Sequence, residues 1–355
     1  MRRTRGGPTL SDAALVAIVV WFSGCDSQVP ITQEPWAKAD SADQISPTVR
    51  TATNGDLLYI SSDAPYVYVY TYPGLAYIGK LDILGGNSGL CDDAAGNVFV
   101  TIYSDYQILE YAHGGSQPIQ TLSDPNARPL GCAIDPTTGN LAVTSYAGQR
   151  LGKHGSAAIY TNASGNPQVY TDAKLFYYDF CTYDGNGNLF IDGQDVDLNL
   201  IIAELPKGKA KFINLTLTDL PKDFGYPAGI AWDGQYLVLG DLDRPVLYRL
   251  QLSGSNAKVV GSTKLRTGKN VEQFTIAADT SGETLVGPNS TAQSVYFWRY
   301  PRGGKPTQQI TGLSGAFGTA ISLSQQEHKR NYANSPRPAG SSTGTTLAGF
   351  DLRKP

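Results

Sequence analysis

Between residues 48 and 324 the apolar positions come in short bursts, not in stripes at helical spacing. A burst opened by a glycine or its neighbour and closed by a polar break returns six times: "NGDLLYIS" at Gly55, "GNVFVTIY" at Gly96, "GNLAVTSY" at Gly139, "GNLFIDG" at Gly187, "GQYLVLGD" at Gly234 and "GETLVGPN" at Gly282. The intervals are 41, 43, 48, 47 and 48 residues. Self-similarity at such a period predicts a repeat architecture.

Each unit reads as strands. A short run ending in Asp precedes five of the six glycines ("GLCDD", "GCAID", "FCTYD", "GIAWD", "TIAAD"), and the intervening turns carry the Gly and Asn that tight hairpins need. After the burst comes a third strand, such as "QILEYAH" or "VYFWRYP", and then a fourth, such as "PIQTL" or "AKFINLTL". Four antiparallel strands make one blade, so the pattern predicts an all-β, six-bladed β-propeller. The first unit lacks its first strand, and "FGTAISLS" (317–324) supplies a lookalike after the sixth, which would close the ring; "TVRTAT" (48–53) competes for that slot.

The unit "GLCDDAAGNVFVTIYSDYQILEYAHGGSQPIQTL" resembles an NHL-type repeat, and the array resembles the wider superfamily of NHL, regucalcin-gluconolactonase and strictosidine-synthase-like propellers. The resemblance rests on turn and core positions, which speak to fold and little to activity. Regucalcin-like lactonases hold a metal with a Glu, Asn and Asp set, so a divalent cation such as Ca²⁺ is one cofactor the resemblance implies.

The ends read differently. "MRRTR" followed by an apolar run from Ala13 to Phe22 is too short to span a membrane and fits the core of a signal peptide. Phe22-Ser23-Gly24-Cys25 resembles a bacterial lipobox, with Phe22 in the place of the usual Leu. That implies a signal peptide over 1–24, an acylated Cys25 and a flexible tether to residue 47, holding the protein on the periplasmic or outer surface of a bacterial cell. Each buried acyl CH₂ contributes about 0.8 kcal/mol to such anchoring. Asp26 resembles an inner-membrane retention signal. Residues 325–355, rich in Ser, Thr, Gly and Pro, read as a polar, disordered tail.

Composition adds exclusions. Charged residues are 17% and the formal charge is −3, falling to about −5 when Arg2, Arg3, Arg5 and Asp12 leave with the leader. No basic stripe remains to hold nucleic acid. The three histidines, His113, His154 and His328, fall in a turn, a glycine-rich loop and the tail, away from any common site. A His-based zinc centre or a Ser-His-Asp triad is therefore not expected. A monomer is expected.

In a propeller the polar groups at one mouth of the central channel form the natural site. The loops after the second strands bring Asp63, Tyr103, Asp105, Tyr146, Asp195, Asp241 and Asn289 to one face, and those entering the first strands add Arg128, Asp179, Glu272 and Gln273. Three readings compete. Asp179, Asp195, Glu272 and Asn289 could bind a hard cation through oxygen; the tyrosines could line a cleft for a small molecule, sugar, peptide or protein; or the groups could only cap turns and bridge blades. With no recognisable catalytic set, a membrane-anchored binding or scaffolding module is the first expectation and a metal-dependent lactonase or related hydrolase the second. Cys91, Cys132 and Cys181 occupy nearly the same point of consecutive first strands, so either a bridge between neighbouring blades or buried thiols would fit.

Overall fold

The computed structural model describes residues 55–83, 85–124, 127–148, 154–266, 271–279 and 282–324. The expected leader, Cys25, the tether, "TVRTAT" and the tail lie outside the described residues. No helix among the described residues is long and apolar enough to cross a membrane.

Six sheets, antiparallel but for one pairing in blade 5, follow one another around a ring. Blade 1 holds β1 (Leu57–Ile60), β2 (Tyr66–Thr71) and β3 (Tyr77–Asp82), and blade 2 holds β4 (Asn87–Asp92), β5 (Val98–Ile102), β6 (Gln107–Tyr111) and β7 (Pro118–Ser123). Blade 3 is β8 (Ala127–Ile134), β9 (Leu141–Gly148), β10 (His154–Tyr160) and β11 (Gln168–Tyr170). Blade 4 is β12 (Tyr177–Tyr183), β13 (Leu189–Gln194), β14 (Leu200–Leu205) and β15 (Ile213–Asn214). Blade 5 takes β16 (Thr216–Thr218) with β17 (Pro227–Trp232), β18 (Leu237–Asp241), β19 (Val246–Ser253) and β20 (Asn256–Lys264). Blade 6 is β21 (Thr275–Asp279), β22 (Gly282–Asn289), β23 (Ser294–Tyr300) and β24 (Gln308–Thr311), and β25 (Thr319–Ser322) returns to pair with β1. Closure by the late strand is thus what the structure shows, with Leu57 opposite Ser322 and Ile60 opposite Thr319.

One expected element divides. "AKFINLTL" reads as a single fourth strand, but only Ile213–Asn214 pairs within blade 4, while Thr216–Thr218 runs parallel to β20 as a fifth strand of blade 5. The buried Leu215 is the pivot, its N–H donating to Ile202 O at 2.8 Å while Thr216 N donates to Ser255 O at 2.8 Å.

The second strand of every blade is apolar on both faces because a neighbouring blade covers each face. Leu57 and Tyr59 pack toward blade 2 with Leu90, Val98 and Val100, whereas Leu58 and Ile60 pack toward blade 6 with Val286, Val295 and Phe297. Phe99 turns instead to blade 3, beside Leu141 and Val143. Three more apolar clusters fill the remaining seams, among them Ile191 with Ala142, Phe190 with Leu239, and Trp298 with Val238. At about 25 cal/mol per Å² of apolar surface removed from water, these seams dominate the stability of the ring.

The hairpins at the far face are built by Asp. Asp93 Oδ1 accepts from the N–H groups of Ala95 and Asn97 at 2.9 and 2.8 Å, and Asp184 Oδ1 accepts from Asn186 and Asn188 at 2.9 and 2.8 Å. The glycine just before each Asn, Gly96 (φ 85°) or Gly187 (φ 84°), takes the left-handed conformation that the return requires.

Cys91 and Cys132 form a disulfide with their Cα atoms 5.7 Å apart, tying β4 to β8. Cys181 stays a buried thiol, its pKa pushed up by burial first and by the nearby Asp192 second. The register explains the odd thiol. Cys132 lies opposite Val143 and Cys181 opposite Ile191, equivalent positions, but Cys91 lies opposite Phe99, one residue further along its strand. The equivalent of Cys91 in blade 3 is Ala133, which packs against the cluster containing Cys181. Ala133→Cys is therefore expected to form a second bridge, to Cys181, adding about 2–4 kcal/mol of stability. Thiol titration under denaturing conditions checks it: the Cys181 thiol should vanish in Ala133→Cys and persist in Ala133→Ser.

Candidate functional site

The mouth is shaped by irregularity placed at one end of the inner strands. Pairing slips between Asn87 and Leu90, between Ala127, Pro129 and Gly131, between Tyr178 and Cys181, and between Pro227 and Ile230. Bulges of this kind bend a strand and re-aim its side chains. Here they open backbone groups that one position of the second strand then satisfies. Ser61 accepts Gly318 N–H at 2.8 Å and donates to Ser88 O of blade 2. Thr101 donates to Leu130 O of blade 3 at 2.8 Å. Thr144 accepts Gly131 N–H at 3.1 Å and donates to Asp179 O of blade 4 at 2.7 Å. In blade 4 the position holds Asp192, whose Oδ1 accepts Phe180 N–H at 2.8 Å and whose carboxyl group also takes a backbone bond from Gly229 of blade 5. Gly240 stands there in blade 5, where a Cβ would press on Ala228 and the Phe274 ring of blade 6.

Below the mouth the channel is filled. Phe180 of blade 4 meets Phe317, just ahead of β25 on the opposite side, at 5.8 Å between ring centres, with Leu130 and Ile230 beside them. Gln273 closes another quarter. Its amide accepts from Leu90 N at 3.0 Å and donates to Leu90 O at 2.9 Å, so blade 6 is joined to blade 2 across blade 1. Gly318 permits the crossing, because a Cβ there would collide with Gln273 Oε1. A ligand thus meets a floor, not a pore.

On that floor the expected acids part company. Asp195 Oδ1 accepts the N–H groups of Asp197 and Asn199, both at 2.9 Å; burial pushes its carboxyl up, but the Asn199 side-chain amide and these two N–H groups together outweigh it and hold the pKa below the usual value. Asp241 accepts from Asp243 N at 3.1 Å, Asn289 Oδ1 from Ala292 N at 2.6 Å, Asp63 Oδ1 from Ser314 Oγ at 3.0 Å, and Asp105 Oδ1 from Ser104 Oγ at 2.9 Å. These groups shape their loops. Glu272 takes the hydroxyl of Ser290, and burial pushes its pKa up to about 7. Of the four oxygen ligands considered for a cation, Asp195, Asn289 and Glu272 thus engage separate partners, while Asp179 faces Asp192. Among the described residues no three His, Cys, Asp or Glu side chains gather as a metal ion would require.

What does come together is an aromatic arc over blades 2 to 4. Arg128 lies over the Tyr103 ring, its guanidinium carbon 5.1 Å from the centre, with Nη1 donating to the phenol oxygen at 3.4 Å. Tyr146 stacks on Tyr177 at 4.8 Å and 27°, Tyr177 meets Phe176 edge-on at 4.7 Å, and His154 lies 4.6 Å from Phe176. Tyr146 is the hub: burial first, then the nearby Asp179, drives its pKa upward, and Tyr177, Tyr103 and Tyr226 lie around it. His154, expected away from the mouth, ends this arc because β10 begins at that residue. Tyr177 and Phe176 were not among the expected site residues; the run "FYYDF" held the signal.

No family model matches the chain, and comparison with curated proteins gives no match. Among solved structures, one chain of a nidogen/laminin complex superposes with a TM-score of 0.62 at 17% identity, covering 76% of this chain and all of that one. At that identity the likeness shows the fold, a six-bladed β-propeller, and the sequence resemblance to NHL and regucalcin-type repeats remains a resemblance.

Glu272 gives a measurable pH effect. Because its folded pKa is raised, the stability associated with its protonated form is complete below the ordinary carboxyl range and is lost as pH climbs through about 7. The loss is at most about 3 kcal/mol, and smaller because the residue is only partly sequestered from solvent. Urea unfolding of the parent and of Glu272→Gln at pH 5 and pH 8 should show a flatter pH dependence in the variant; equal slopes would remove Glu272 from the account.

Proposed function

We propose that this protein is a non-catalytic binding or scaffolding module that engages its ligand at the mouth over blades 2 to 4. The observation that carries the reading is the aromatic arc, with Tyr146 stacked on Tyr177 and Arg128 over Tyr103, set on a floor closed by Phe180 and Phe317. Rigid aromatic side chains present large contact area with little rotamer entropy to lose, which suits recognition. On the far face the described hairpins between first and second strands are short and are held by Asp93, Asp135, Asp184 and Asp233. The metal-dependent hydrolase has no comparable support, since its oxygen ligands do not assemble.

A paired substitution tests the choice of face. Immobilised parent protein would be used to capture ligand from envelope extract. Tyr146→Ala with Tyr177→Ala should reduce capture by about tenfold or more, as loss of two central aromatic contacts implies. Exchange of residues Ala94 and Ala95 for Ser on the far face should leave it unchanged. The opposite result would assign binding to the far face.

The module is proposed to work outside the cytoplasm, held to a membrane by lipid on Cys25. A fatty-acid analogue fed to cells should label the parent and not Cys25→Ala; equal labelling of both would end the anchor proposal.

A further inference from the structure

Asp192 is fully buried, and its Oδ2 has no hydrogen-bond partner. The opposite oxygen already serves Phe180 N–H. The register slips between Tyr178 and Cys181, Phe180 N–H binds Asp192, and Asp179, the residue before it, lies close enough to feel the Asp192 charge. Asp179 is 8% exposed, reaches the mouth, and lies near the Tyr146 ring. Neither acid has a Lys or Arg partner among the described residues; Arg128, the cation of the arc, is turned onto Tyr103. An unpartnered carboxylate oxygen in the interior is costly, by about 1–3 kcal/mol or more, and two acids side by side compound it.

We infer that Asp179 and Asp192 form the seat for a primary ammonium group on a flexible stem, the lysine side chain of a peptide or protein partner, entering past Tyr146. The inference rests on the mouth being the binding face. The chemistry fits on three counts. An ammonium carries three donors and no acceptor, and the pair offers Asp192 Oδ2 and the Asp179 oxygens as acceptors. Its methylene stem can lie along the Tyr146–Tyr177 stack, and the charge gains from the ring faces. A dehydrated Ca²⁺ would need six to eight oxygens, which two carboxylates, one half-occupied by backbone N–H groups, do not supply.

In the empty seat a proton stands in for the cation. Burial, and after it the charge of Asp192, pushes Asp179 well up, while burial moves Asp192 to about 7. The other titratable groups facing the pair, Tyr146 and Cys181, are pushed up by burial and stay neutral across the physiological range. Arg128 stays charged throughout. Ammonium entry then releases a proton from the pair to solvent, and affinity rises with pH while the amine itself, with a pKa of about 10.4, stays charged.

The probes are N-acetyl-lysine amide and N-acetyl-norleucine amide, which differ by the ammonium alone, titrated against the full chain at pH 5.5 and pH 8 by NMR. At pH 8 the lysine probe should bind about tenfold more tightly than the norleucine probe, a preference worth about 1.4 kcal/mol, and the gap should shrink at pH 5.5. Asp192→Asn should abolish the preference. Tyr146→Leu, which keeps the acids, should weaken the lysine probe several-fold. Equal binding of the two probes, binding of neither, or an Asp192→Asn protein of parental thermal stability that keeps the preference would each overturn the inference. If envelope ligand capture still depends on Tyr146 and Tyr177 in that event, the mouth remains the binding face and only the ammonium seat is lost.

Discussion

The structure depends on burying each second strand from both sides. A strand such as Val98–Ile102, with every residue in the interior, cannot be covered by its own blade. It needs one neighbour for Val98 and Val100 and another for Phe99. No blade is a folding unit with a core of its own, and the ring must be complete before any member is fully desolvated. This makes the seams, not the sheets, the sites where the sequence is most constrained, and it leaves the mouth loops free to vary on a fixed frame.

The inner strands bear a second constraint. Crowded around the axis, they cannot all continue regular pairing, and four of them slip. Each slip frees backbone groups that must find partners in the interior. A hydroxyl or carboxylate at one fixed position of the second strand, Ser61, Thr101, Thr144 or Asp192, meets that demand and reaches the next blade in the same step. Three of these are neutral. The fourth brings a charge into the interior, and the candidate seat beside Tyr146 arises from that exception.

The periodic part of this architecture was legible in the sequence because it is local. Gly96 and Gly187 recur at hairpin geometry, the apolar bursts between them can only be two-sided strands, and "FGTAISLS" matches the missing first strand. The site was legible only in part. Asp195 looked like a ligand, yet "DVDLN" repeats the Asp-to-Asn spacing of "DAAGN" and "DGNGN" at Asp93 and Asp184, and all three carboxylates hold turns in the same way. That signal was present and points to loop shaping. The bidentate contact of Gln273 with Leu90 was not legible, since it joins residues 183 apart through a gap that exists only because Gly318 lacks a side chain. Nor was the disulfide decided, because a one-residue offset between Cys91 and Cys132 is what lets their side chains meet, and sequence spacing alone does not give strand register.

Closure by Thr319–Ser322 has a consequence during synthesis. Until the ribosome has made that segment, β1 presents an unpaired edge and an uncovered apolar face formed by Leu58 and Ile60. The same segment carries Gly318 beneath Gln273, so the cross-ring amide contact also waits for it. A chain halted anywhere in the sixth repeat therefore has all the strands of blades 2 to 5 only, with blade 1 still a templating strand edge, the kind of species that pairs with its own copies and draws chaperones or proteases.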